Sequence, residues 1–73
     1  MFRSYEDLAN AIVLTAANDY RSALKELNVN PRNKDALKTK AEVERFFWSS
    51  WFKSLTSLDP DILMNQLIEE VAS

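Results

Sequence analysis

"ERFFWSSWFKSL", residues 44–55, decides how this chain folds, because five of the eight aromatic residues in the whole sequence stand at positions 46–52. On a continuous helix, Phe47, Trp51 and Leu55 are four residues apart and form one apolar row. A core of large aromatic side chains in so short a protein indicates helices packed against this segment on one side.

The residues before this segment predict one long helix. Between residues 5 and 27, apolar side chains recur every three or four positions, which is the pattern of an amphipathic helix. Ser4 stands before the helix as its N-cap. At the other end, Asn28 replaces the usual glycine as the predicted C-cap, and Pro31 pushes Asn30 out of the helical region.

Two more helices follow in the prediction. The second begins at Asn33 or Pro31 and continues through the aromatic segment to about residue 58, since Ser49 between the aromatic pairs does not require a break. The third begins with Asp59 as N-cap and Pro60 at the first helical position. The prediction is all-α: residues 1–73 form a single compact three-helix domain with a long first helix, short connections and an aromatic-rich second helix.

The amino-acid composition excludes several kinds of metal-binding and catalytic site. The 73 residues include no Cys, no His and no Gly. Disulfides and zinc sites of Cys or His are therefore excluded, and a β-rich fold with glycine turns is not expected. The usual general base, the best nucleophile and the glycine-rich phosphate loop are missing too. We therefore expect a non-enzymatic protein with no cofactor and no metal.

No apolar run reaches the ~20 residues of a membrane span. The start, "MFRSYEDL", carries acidic residues where a signal peptide would be apolar. We therefore expect no membrane association and a location in the cytoplasm of a host cell.

Charge is unevenly distributed, although the net charge is only −2. Residues 21–45 hold seven basic and four acidic side chains, whereas residues 57–73 hold four acidic and none basic. Such a chain suits complementary contacts within the fold or between protomers. Near the start of the second helix, the basic side chains are candidate phosphate contacts, although a solvated charged face is the simpler interpretation; they are Arg32, Lys34, Lys38 and Lys40.

The aromatic segment is the candidate interaction site. Its side chains occupy more than half of the helix circumference, and two neighbouring helices cannot cover all of them. Core packing alone is one interpretation. The favoured interpretation adds an outward face for a protein partner or a second copy, formed by Phe46, Trp48 and Phe52.

The sequence resembles a group of small helical proteins encoded by phages, prophages and mobile elements of Firmicutes. The resemblance covers nearly the whole chain, and its most specific part is E-x-F-F-x-S-x-W-F-x-x-L-T-x-L-D at residues 44–59. In that group the position of Trp48 is more often polar or charged. The group has no agreed activity and no catalytic residues, so the resemblance implies only an accessory protein of a mobile element.

These observations lead to one function hypothesis and two alternatives. The hypothesis is a non-enzymatic accessory protein that binds a host or phage protein, in its sharpest form an anti-CRISPR-like inhibitor of host defence or a regulator of a host enzyme. The first alternative is a nucleic-acid-associated factor that uses the basic residues. The second is a self-assembling structural protein whose aromatic face forms a homodimer.

Overall fold

The structure, a computed structural model, describes residues 3–72. They form four helices, α1 (Tyr5–Val29), α2 (Lys34–Phe47), α3 (Ser50–Leu55) and α4 (Pro60–Ala72). No strand occurs within these residues. The all-α class, the long first helix and the short connections are therefore confirmed.

Three helix starts are set by the residues that the sequence indicates. Ser4, Asn33 and Asp59 each stand before a helix, and the side-chain oxygen of each accepts a backbone N–H from the first turn, at 3.2, 3.1 and 2.9 Å. Each bond satisfies one of the amide groups that a helix start leaves without a partner. The predicted caps are confirmed.

The end of α1 differs from the prediction. Asn28 remains helical, and Asn30 is the C-cap in an extended conformation, with φ −139° and ψ 96°. The proline at position 31 explains this, since its ring disfavours the helical region for the preceding residue. The prediction of Asn28 as the C-cap was wrong, whereas the predicted displacement of Asn30 from the helical region is confirmed.

The predicted second helix is divided into α2 and α3, so the described chain has four helices instead of three. Trp48 ends α2 with φ −91° and ψ 2°, and Ser49 is extended with ψ 159°. The Ser49 hydroxyl accepts the N–H of Phe52 at 3.2 Å and donates to the carbonyl of Phe46 at 2.6 Å. One serine thus caps both helix ends, which replaces the backbone bonds lost at the break.

This break changes which aromatic side chains enter the core. In an unbroken helix, residues five apart point about 140° away from each other. With the break, Phe47 and Phe52 are both fully buried, and their ring centroids are 5.4 Å apart in an edge-to-face contact. Trp51, predicted to lie in the core row, is turned outward and is 56% exposed.

α1 is the central helix, and α2, α3 and α4 all pack against it. Its buried row contains small residues at the places where the aromatic side chains approach, with Tyr20 as the one large member. Small side chains on α1 let the helices come close enough to cover the aromatic rings. The core cluster consists of Ala9, Val13, Ala17, Tyr20, Val43, Phe47, Phe52, Leu55, Met64 and Leu67.

α2 and α4 run in opposite directions along α1. α2 starts at the C-terminal end of α1, after a four-residue connection. α4 instead ends beside the C-terminal half of α1, where the Arg21 guanidinium donates to Glu70 at 2.7 Å and the Asn28 amide donates to the carbonyl of Val71 at 3.5 Å. The C-terminal end of α2 is therefore level with the N-terminal end of α4.

The molecule is elongated and exposes much surface for its mass. It measures 39 × 25 × 22 Å, and its radius of gyration is 12.9 Å, compared with about 11 Å for a compact domain of this length. Its accessible surface is 5399 Å², compared with roughly 4600 Å² for a typical monomer of this mass. Part of the additional surface is apolar, because both tryptophans are more than half exposed.

Candidate functional site

Two open apolar grooves lie on either side of α2, and each has one exposed tryptophan in its wall. We name them the Trp51 groove and the Trp48 groove. The Trp51 groove has a volume of about 290 Å³ and is lined by Ile12, Thr15, Ala16, Asp19, Glu42, Val43, Phe46 and Trp51. The Trp48 groove has a volume of about 400 Å³ and is lined by Tyr20, Glu44, Arg45, Trp48, Asp61, Met64, Asn65 and Ile68.

The Trp51 groove lies between α1 and α2, with α3 at one end. Phe46 is half-buried in its floor, and the Trp51 ring meets it edge to face at a centroid distance of 5.3 Å. This contact holds the indole in place while more than half of it faces solvent. Asp19 and Glu42 are both exposed in its lining, and no basic residue lines it. The groove is thus an apolar channel with acidic borders.

The Trp48 groove lies between α2 and α4. Its apolar wall is formed by Trp48, Met64 and Ile68, of which Trp48 is 57% and Ile68 42% exposed. Its border carries both charges, since Arg45 stands on α2 and Asp61 on α4. This groove therefore has a basic side and an acidic side.

Polar contacts form the floor of the Trp48 groove. The Tyr20 hydroxyl donates to Glu44 Oε2 at 2.7 Å, and Lys40 Nζ donates to the same oxygen at 2.8 Å. Burial raises the pKa of the Tyr20 phenol well above its usual value, and the hydrogen bond to Glu44 and the carboxylate charge raise it further. Burial also raises the pKa of Glu44, but the bonds from Lys40 and Tyr20 outweigh it, so that this pKa lies below its usual range. Both groups are hydrogen-bonded, so the network links α2 to α1.

The three residues of the predicted aromatic face do not lie on one face. Phe52 is fully buried, which corrects its assignment to an outward surface. Phe46 lines the Trp51 groove, whereas Trp48 lines the other groove. The prediction assumed one continuous helix, and the break at Ser49 turns α3 so that Phe52 points inward.

Trp51 was missed as a surface residue. The available signal was Ser49, since serine is among the preferred N-cap residues and it separates two aromatic pairs. With a new helix start at that position, the row of residues 47, 51 and 55 is broken, and Trp51 no longer has to follow Phe47 into the core.

The four predicted phosphate contacts are not all free to bind. Lys40 forms an ion pair with Glu44 at 2.8 Å. Arg32, Lys34 and Lys38 are exposed, and Lys34 and Lys38 share the outward face of α2. Arg45, seven residues after Lys38, extends this basic row toward the Trp48 groove. Phosphate binding by these residues stays a prediction.

Over residues 3–72, no group of three or more acidic side chains is arranged to hold a metal ion. None of the four helices has the length and apolar character needed to cross a bilayer. No protein-family model matches this sequence, and no curated protein or solved structure matches it either.

Proposed function

We propose that this protein is a non-enzymatic interaction module, and that its Trp51 groove holds an amphipathic helix of a partner protein. The observation that supports the proposal most directly is Trp51 itself. A large apolar ring stands 56% exposed at the wall of an apolar groove, although the chain has a core it could have entered. Tryptophan is among the residues that contribute most to binding when a partner covers them.

Covering Trp51 would contribute measurably to binding. Its exposed part amounts to on the order of 100 Å² of apolar surface, which corresponds to roughly 2.5 kcal/mol at about 25 cal/mol per Å². Ile12 and Phe46, both partly buried, add apolar surface along the same groove. The channel between two helices suits a third helix, whose apolar side chains recur at three- and four-residue spacing.

The charges of the groove specify the partner further. Asp19 on α1 and Glu42 on α2 border the groove from opposite sides. A helix in the groove would bring its flanks close to both carboxylates, so the complementary partner carries Lys or Arg beside its apolar row. The partner class is therefore a basic amphipathic helix of a host or phage protein.

The test is a quantitative capture experiment. The immobilised protein is exposed to a nuclease-treated host lysate in high salt, and the proteins that it retains are compared with those retained by Trp51→Ala and Glu42→Lys. We expect one stoichiometric partner, and roughly 30-fold weaker binding for Trp51→Ala, because a central aromatic anchor contributes about 2 kcal/mol or more. When binding of the retained partner is then measured at low salt, Glu42→Lys is expected to weaken it by reversing a border charge.

Trp48→Ala is the matched control, since it removes the same side chain at nearly the same exposure from the other groove. A retained partner that contributes a single helix should bind this variant as it binds the natural sequence. A partner that is lost with Trp48→Ala and kept with Trp51→Ala would contradict the proposed site. Equal retention by all variants would contradict a role for either groove.

A sharper form of the proposal is an inhibitor of host defence, or a regulator of a host enzyme, encoded by a phage or mobile element. Its support is the resemblance of residues 44–59 to the phage-encoded group. If it is correct, the retained partner is a defence protein or enzyme whose activity changes in proportion to the bound protein. A retained partner whose activity is unchanged at saturation would contradict this form and leave an adaptor role.

A further inference from the structure

The Trp48 groove has opposite charges on its two sides. On α2, the exposed residues Lys34, Lys38 and Arg45 lie in one row, since they are four and seven residues apart. α4 carries no basic residue, and the charge that it contributes to the groove lining is Asp61. A partner surface of a single charge would be attracted to one side of the groove and repelled by the other.

The two charges at the groove border are not paired with opposite charges among the described residues. Among the described residues, neither Arg45 nor Asp61 forms an ion pair, although both line the same groove. Between them lie the exposed apolar side chains of Trp48 and Ile68. Three helical turns before Trp48, and therefore on the same face of α2, Leu37 is 46% exposed. The result is an apolar strip with a basic border and an acidic border.

We infer that the Trp48 groove is the dimer interface of this protein, with a second copy as its occupant. A two-fold axis parallel to the groove places α2 of each copy over α4 of the other. Because α2 and α4 run in opposite directions, Arg45 of one copy then lies above the part of α4 that carries Asp61 in the other. The contact between Arg45 and Asp61 of the other copy therefore occurs twice, and the apolar strips meet at the centre.

The charges exclude the other face-to-face arrangement. A two-fold axis perpendicular to the groove would place α2 over α2 and α4 over α4, which brings the two basic rows of α2 together. Like charges placed opposite one another suppress such a pairing. The inferred dimer is therefore the arrangement in which this surface is complementary to itself.

An interface of standard size would use a small part of the surface of the chain. A standard interface buries about 800 Å² of each partner, which is about a seventh of the 5399 Å² that one chain exposes. The inference is independent of the Trp51 groove, which stays open in this dimer because it lies on the opposite side of α2.

The test is sedimentation equilibrium of charge-reversal variants. We expect the natural sequence to form a dimer, and Arg45→Glu and Asp61→Arg to weaken it roughly tenfold or more, since each creates two like-charge contacts. When the two variants are mixed, both contacts become attractive again, so the mixture should form a heterodimer. The double variant Arg45→Glu with Asp61→Arg should form a homodimer for the same reason.

Asp35→Arg is the matched control for Asp61→Arg. Both positions are exposed acids in the first turn of a helix, but Asp35 does not line the Trp48 groove. Circular dichroism of each variant checks that the helices are retained. The inference is overturned if the natural sequence stays monomeric at all concentrations, which would leave the groove to a different partner. It is also overturned if folded Arg45→Glu and Asp61→Arg dimerise as the natural sequence does.

Discussion

At the scale of single residues, Tyr20 has an unusual position. It is the only large polar side chain in the core cluster, and it is fully buried on α1. Its hydroxyl reaches Glu44 on α2 at the floor of the Trp48 groove. A phenylalanine would fill nearly the same volume, so the hydroxyl adds the specific link that fixes α2 in register against α1.

Tyr20→Phe should therefore change how stability depends on pH. In the unfolded chain the Tyr20 phenol titrates near pH 10, whereas burial and then the bond to Glu44 raise its pKa in the folded protein. Above about pH 10 the unfolded chain binds fewer protons than the folded one, so the free energy of unfolding falls by up to about 1.4 kcal/mol per pH unit. Tyr20→Phe should lower the free energy of unfolding by about 1.5 kcal/mol at neutral pH. It should not show the further decrease in the free energy of unfolding above pH 10.

Urea denaturation across neutral and alkaline pH measures both effects. Tyr5→Phe is the control, because Tyr5 is 63% exposed and makes no contact in the core. If Tyr20→Phe loses as much stability above pH 10 as the natural sequence, the phenol is not the group that titrates.

At the scale of elements, the break between α2 and α3 determines the surface. The Ser49 hydroxyl provides bonds to both helices, so that Phe47 and Phe52 meet in the core and Trp51 faces outward. The sequence predicts one helix here, whereas the structure has two helices, α2 and α3, that bury different faces.

Ser49→Ala should destabilise the fold. Loss of an N-cap oxygen costs about 1 kcal/mol, and for a domain of this size that lowers the melting temperature by roughly 4–8 °C. Ser54→Ala is the control, since Ser54 also donates to a carbonyl one turn earlier but is exposed and caps no helix. A Ser49→Ala variant as stable as the Ser54→Ala control would show that Ser49 does not hold the break.

The sequence predicts three of the helix starts correctly but misses the break at Ser49. The difference is whether the N-cap residue and the apolar periodicity indicate the same position. Ser4, Asn33 and Asp59 each stand at a point where the apolar pattern also begins, so the cap and the periodicity agree. At Ser49 they disagree, because the aromatic row fits an unbroken helix. Whether the helix continues or breaks at Ser49 then depends on an N-cap worth about 1 kcal/mol and on tertiary packing, and the packing cannot be read from a single sequence. The errors at Phe52 and Trp51 follow from that one choice.

At the scale of the whole molecule, α2 separates two surfaces of different character. The Trp51 groove is bordered by the acids Asp19 and Glu42, and the Trp48 groove by Arg45 and Asp61. In our proposals the first surface binds a basic helix of a partner and the second binds another copy. One dimer would then present two Trp51 grooves, which increases the avidity for a partner that offers two helices.

The most direct test of this account is acrylamide quenching of single-tryptophan variants over a range of protein concentrations. Trp51→Phe leaves Trp48 as the only tryptophan, and Trp48→Phe leaves only Trp51. We expect both tryptophans to be readily quenched in dilute protein, and only Trp48 to become protected as the protein concentration rises. The dimer would be contradicted if Trp48 were quenched equally in dilute and concentrated protein. The proposed placement of the interface would be contradicted if Trp51 became protected as the protein concentration rises.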